Sequence, residues 1–290
     1  MSFALLQNGS MTRQERADVI VPWWSFTKTV LSAAALSLVR DGLIALDDPV
    51  FGEPFTLRQL LRHEAGLADY GELADYHAAV ARHKEPWSEQ EMMERLDGHR
   101  LRYRPGISWG YSNVGYMHVA RLIERLTGLA LDGALRQRVF APLGLMRTQL
   151  ARGPKDMEGV YLGSAWDYHP GWVYHGLLVG PLAEASLLLD RLLTGKLLPE
   201  ALLREMQTGR KVGGPTPGRP WTSPTYGLGL MQGGVGAGLT FCGHTGAGPG
   251  SVIAVYRSAG TTESSCCAVF HAGMDAGAVE AEVVSRLLAR

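Results

Sequence analysis

Ser25 and Lys28 stand three residues apart in Trp23-Trp24-Ser25-Phe26-Thr27-Lys28, and a hydroxyl and an amine so spaced could form a nucleophile and its base. Pro22 and the two tryptophans predict extended chain. The Ala- and Leu-rich run after Ser25 predicts a buried helix closed by Asp41-Gly42. Ser25 then falls in the first helical turn, where unpaired backbone N–H groups and the positive end of the helix dipole collect. Lys28 shares its face. A hydroxyl beside an amine and under N–H donors is the start of a nucleophile, a base and an oxyanion hole. The plainer reading is a helix N-cap with an incidental lysine. With 16 Ser and 5 Lys in 290 residues, chance supplies roughly 0.3 Ser-x-x-Lys pairs, so other residues must decide.

Two later stretches do so. In Tyr111-Ser112-Asn113, just before a helical pattern at Gly115, extended chain would turn Tyr111 and Asn113 toward one cavity. Asn8 and Asn113 are the only asparagines, so chance gives roughly 0.07 Tyr-x-Asn matches. The alternative is an ordinary tyrosine before a capping asparagine. Of four Thr-Gly pairs, those at Thr127, Thr194 and Thr208 fall at expected helix ends. Only Thr245-Gly246 follows a basic residue, His244, and lies among strands, where small residues let a substrate backbone approach the sheet edge. A glycine hairpin with a surface histidine is the bland alternative.

The elements that must position these residues read as follows. Residues 3–7 and 10–16 around Asn8-Gly9 predict a hairpin. Residues 56–61 predict a short capped helix. Ser88-Glu89-Gln90-Glu91 is a capping box for a helix stopping at Gly98. Val119, Leu122, Ile123 and Leu126 give residues 115–127 a helical period, and residues 43–150 read as almost wholly helical. Arg152-Gly153-Pro154-Lys155 is a breaker. Helices are expected over 181–194 and 199–208, followed by a Gly- and Pro-rich stretch, 209–224, as a candidate mobile rim. Residues 226–231, 239–242, 251–256 and 265–271 predict an antiparallel meander, and Asp275 opens a closing helix. There is no regular βαβ alternation.

Composition excludes several classes. Formal net charge is zero, which leaves no electrostatic footprint for nucleic acid or an anionic membrane. No apolar run approaches the roughly 20 residues of a membrane span. Residues 1–6 lack the features of a signal peptide, and Cys242, Cys266 and Cys267 make a poor disulfide framework, so a cytoplasmic location is expected. Nine scattered histidines form no metal motif, and the glycines at 233, 234, 236 and 238 lead into a strand rather than a helix. Neither metal nor cofactor is expected.

Ser25-x-x-Lys28, Tyr111-x-Asn113 and His244-Thr245-Gly246, in that order, resemble the motif set of the penicillin-recognising serine hydrolases. They look most like the class C β-lactamase and family VIII esterase branch. The connecting segments 41–49, 56–66, 105–113 and 142–146 share the likeness, which spans nearly the whole chain. It implies an α+β fold, an antiparallel sheet flanked by helices with an inserted all-helical lobe. Residues 1–45 and 155–290 would form the α/β lobe and 46–154 the helical lobe, with the site at their junction. The resemblance implies Ser25 as acylated nucleophile, Lys28 helping to take its proton, and Tyr111 as general base and leaving-group acid. Backbone N–H groups of Ser25 and Ala247 would form the oxyanion hole, and Asn113, His244, Thr245 and Gly246 would bind substrate. Chemically, an ammonium at Lys28 should lower the Tyr111 pKa while a tyrosinate holds the lysine charged.

His244 departs from the pattern, since penicillin-directed members usually carry lysine there. A partial cation near pH 7 would grip a substrate carboxylate only weakly, and less as pH rises. The expected function is a metal-free serine hydrolase acting through an acyl-enzyme on a small ester or amide. A true β-lactamase or D-amino-acid peptidase is the enzymatic alternative. A non-catalytic binding or sensor module is the other, and it would be marked by a lost nucleophile or base. No nucleic-acid or membrane partner is expected.

Overall fold

Both ends of the chain meet in one sheet. The computed structural model describes residues 1–236, 238–259 and 264–289. In chain order come β1 (Ser2–Gln7), β2 (Ser10–Glu15), β3 (Ile20–Pro22) and helix α1 (Thr27–Arg40). Helices α2 (Leu57–Leu61), α3 (Ala74–Ala81), α4 (Glu89–Leu96), α5 (Asn113–Thr127) and α6 (Leu131–Leu135) follow. Next are β4 (Gln149–Ala151), β5 (Leu177–Pro181), α7 (Leu182–Leu193) and α8 (Glu200–Gln207). The chain closes with β6 (Arg210–Lys211), β7 (Ser223–Tyr226), β8 (Met231–Gly234), β9 (Thr240–Gly248), β10 (Ser251–Ala259), β11 (Ser265–Ala272) and α9 (Ala276–Leu288).

The large sheet runs β2-β1-β11-β10-β9-β8-β7-β6, antiparallel throughout. Its first hairpin turns through Asn8 and Gly9, both at positive φ, as an Asn-Gly turn requires. Alternation along the strands divides the core. Val252, Ala254 and Tyr256 of β10 lie on the α9 side, while Ile253 and Val255 lie on the side that α7 covers. Helix α1 is buried on all sides from Thr27 to Leu38, as its Ala- and Leu-rich sequence requires. Cys242, Cys266 and Cys267 are buried free thiols. No helix among the described residues is long and apolar enough to cross a membrane.

Several expectations are corrected. Residues 226–231 are not one strand, because the chain turns between β7 and β8 at Gly227–Leu230. Gly229 has φ 74°, and a Cβ there would lie 2.0 Å from Ser32 Oγ. The apolar–glycine alternation therefore reflects a turn pressed against α1 rather than a pleat. Residues 43–150 are less helical than expected, since long irregular loops separate α2 to α6. A three-stranded sheet, β3-β5-β4, has no counterpart in the sequence reading, its strands being too short to show a period. Segment 209–224, the candidate mobile rim, runs along the edge of the large sheet. It carries β6, buries Trp221, and ties Arg219 to the fully buried Glu280 of α9.

Glu280 also accepts from Trp221 Nε1 at 2.8 Å and from Thr245 Oγ1. Removing this buried carboxylate strips Arg219 and the Trp221 indole of their buried acceptor and costs Thr245 one of its two partners. Glu280→Ala should lower unfolding free energy by about 3–5 kcal/mol in urea titrations. A loss below about 1 kcal/mol would mean that this cluster adds little to the fold.

Candidate active site

The chain enters α1 through a 3-10 turn, Trp24–Phe26, with Trp24 at φ 43°. That left-handed residue is held by packing. Its indole donates to Ser251 Oγ at 3.0 Å and meets the Tyr168 ring edge-on at 5.1 Å. The strained turn presents Ser25 to a cleft of about 270 Å3 that Asn113, His175, Ala247 and Gly248 also line.

Three separate pieces of chain converge there. Ser25 Oγ accepts from Tyr111 Oη at 2.9 Å and lies 3.3 Å from Lys28 Nζ. Lys28 Nζ donates to Asn113 Oδ1 at 2.7 Å and stands 3.2 Å from His175 Nε2. Asn113 is itself fixed, with its Nδ2 and backbone N–H both donating to Asp69 Oδ1 at 2.9 and 3.1 Å. The His63 ring packs 4.4 Å from that of Tyr111, and its Nδ1 accepts from Ser112 N–H. Sequence reasoning missed Asp69, His63 and His175. None belongs to a spaced motif, and only the fold brings them to Lys28.

Electrostatics differ from the expected ion pair. Burial pulls the Lys28 amine from its ordinary 10.5 down to about 7, with Asp69 pulling the other way. Burial also pushes the Tyr111 phenol well up, against its hydrogen bond to Ser25. Desolvation penalises whichever form is charged, so both groups tend toward neutrality above pH 7. The expected tyrosinate–ammonium pair is not the state that burial favours.

The third motif is also corrected. It lies inside β9, not beyond a strand end, so strand alternation governs its side chains. His244 points into the protein, bonded to Tyr226 Oη at 3.0 Å and to its neighbour's carbonyl at 2.7 Å. Burial, reinforced by the Lys28 charge, lowers its pKa to about 3. It is neutral at pH 7 and does not line the cleft, so it offers no cation to a substrate. Thr245 faces the opposite side of the sheet, bonding Tyr256 Oη and Glu280. Gly246 returns to the Ser25 side, where a Cβ would lie 2.7 Å from both Ser25 N and Trp23 O. Its lack of a side chain lets β9 pass directly against the serine. Ala247 is exposed in the cleft.

Comparison with known proteins shows the family and the fold. The sequence model of the family described as Beta-lactamase matches residues 1–276. The chain belongs to that family. It is 29% identical over 217 residues to a D-aminopeptidase of Cereibacter sphaeroides, covering 71% of this chain and 40% of that protein. It is 28% identical over 174 residues to the lovastatin esterase of Penicillium rubens, covering 50% of this chain and 42% of the relative. Thus it spans less than half the length of these curated relatives. Its fold matches the D-amino acid amidase from Ochrobactrum anthropi SV3 with a TM-score of 0.79 and 25% identity, over 99% of this chain and 94% of that one. The architecture is therefore the β-lactamase/DD-peptidase-like α+β fold.

Proposed function

We propose that the protein is a serine hydrolase that acylates Ser25 with a small ester or amide. One observation carries this reading: Ser25 Oγ lies within hydrogen-bonding distance of both an amine that burial brings near neutral and a phenol that burial keeps protonated.

The groups assign themselves to steps. A neutral amine has two N–H bonds and one lone pair. With His175 in the Nδ1–H tautomer, its Nε2 and Asn113 Oδ1 take the two N–H groups, which aims the lone pair at Ser25 Oγ. Lys28 then removes the serine proton as Oγ attacks the carbonyl, and N–H groups of Ser25 and Ala247 receive the developing oxyanion. The Tyr111 phenol gives its proton to the leaving oxygen or nitrogen. What remains is an acyl-serine beside an ammonium and a phenolate, each stabilising the other. Water enters, the phenolate takes its proton, and hydroxide attacks the acyl carbon. Ser25 leaves with the proton held on Lys28, restoring the starting state.

Intact mass spectrometry after brief mixing with an activated ester should show one acyl group, on Ser25, with a stoichiometric burst of leaving group. Ser25→Ala should lose the adduct and at least about 10³-fold in kcat/KM. Unchanged turnover in Ser25→Ala removes the proposal. The lovastatin esterase and D-aminopeptidase likenesses support ester and amide substrates respectively. A non-catalytic module on this fold would instead give an adduct that never turns over.

A further inference from the structure

We infer that the cleft selects uncharged, apolar acyl groups, and rejects those carrying either a carboxylate or an ammonium. This deepens the serine-hydrolase reading and rests on it.

The walls are aromatic and aliphatic. Trp24, Tyr70, Tyr76 and Tyr168 contribute two ring pairs, Trp24 edge-on to Tyr168 and Tyr70 against Tyr76, each at 5.1 Å. Val80, Val173 and Met274 complete the apolar part. Among the described residues no Lys, Arg, Asp or Glu lines the cleft. Lys28 and Asp69 are not among the lining residues; Lys28 bonds Ser25, Asn113 and His175, and Asp69 Oδ1 accepts from Asn113 and from Gly71 N–H. Two imidazoles do line it. His77 bonds the Gly71 carbonyl at 2.7 Å, and His175 bonds Lys28. The third-motif histidine, the group expected to meet a carboxylate, is turned inward onto Tyr226.

Charge selection follows from desolvation. A carboxylate entering such a cleft would give up water and find no cation. An ammonium would find ring edges and faces but no carboxylate among the lining side chains, and cation–π attraction offsets only part of its lost hydration. A neutral chain loses nothing and gains apolar contact. At about 270 Å3 the space lies just below the drug-sized range of about 300–1,000 Å3, which limits the acyl group to a short chain or a single ring.

Three 4-nitrophenyl esters of matched length test this: the hexanoate, the adipate half-ester and the 5-(trimethylammonio)pentanoate. Each is assayed with the full chain at pH 8, above the ordinary imidazole range, and corrected for spontaneous hydrolysis. The hexanoate should exceed both charged esters at least tenfold in kcat/KM, or in the rate of Ser25 acylation where turnover is slow. Met274, 65% exposed at the cleft wall, can change without disturbing the core. Met274→Arg should raise the adipate-to-hexanoate ratio at least threefold. Either charged ester matching the hexanoate in the wild-type protein overturns the inference, as does an unmoved ratio in Met274→Arg. Wild-type turnover of the hexanoate by Ser25→Ala would instead sink the serine reading, and the order of the three esters would still decide the cleft's preference.

Discussion

Lys28→Met abolishes turnover and stabilises the fold at neutral pH: both results are expected from one buried amine. Removing a general base costs about 10²–10⁴-fold, and methionine leaves nothing to take the Ser25 proton, so kcat/KM should fall at least a thousandfold. The wild-type kcat/KM should rise with pH as Lys28 loses its proton, levelling above about 7, and that limb should vanish in the variant. His175→Leu should keep the limb but lose about tenfold, because Lys28 then lacks the acceptor that orients its lone pair. The other groups around Lys28 are Asp69, His63, His244, Tyr111 and Tyr116. Burial lowers the two histidines and raises the two phenols, so none of these four should add a limb near neutrality.

Stability moves in the other direction. The folded pKa of Lys28 lies below its unfolded value, so between about pH 7 and 10.5 the unfolded chain holds a proton that the folded one does not. Stability therefore rises with pH through that window, and the burial cost is fully present below pH 7. That cost is on the order of 4–5 kcal/mol, offset in the variant by hydrogen bonds lost at Asn113 and His175. A net gain of at least about 1 kcal/mol at pH 7, shrinking toward pH 10, is expected in denaturant titrations. A destabilised Lys28→Met with an unchanged pH–rate limb would refute the assignment of the base.

Gly246→Ala should cost about 10²–10³-fold in kcat with a smaller change in KM. Its new methyl would meet main-chain atoms of Trp23 and Ser25 at 2.7 Å, which cannot rotate aside. Strand β9 must then withdraw from Ser25 and take the Ala247 N–H with it, removing one proposed oxyanion donor. Overpacking should also lower stability by about 1–3 kcal/mol. Pre-steady-state kinetics distinguish this from a binding defect, since acylation itself should slow. A near-normal acylation rate would show that Ala247 plays no part in the oxyanion hole.

What the sequence determined was the set of chemical parts and the order of the elements. Ser25, Lys28, Tyr111 and Asn113 were legible because fixed short spacings survive as motifs whatever the surroundings. The hairpin at Asn8-Gly9, the caps at Thr56 and Ser88 and the closing meander were legible because local chemistry sets them. Tertiary structure alone decided charge and direction. Whether an amine at residue 28 is an ammonium depends on how completely other segments exclude water from it, and no spacing records that. Whether His244 and Thr245 meet substrate or core depends on which face of the strand each takes, and the strand expected over 239–242 stopped short of both, whereas β9 runs through them. His175 and Asp69 reach Lys28 and Asn113 only through loops brought together by the packing of α1, β5 and α5, and distances of that kind are a property of the folded chain.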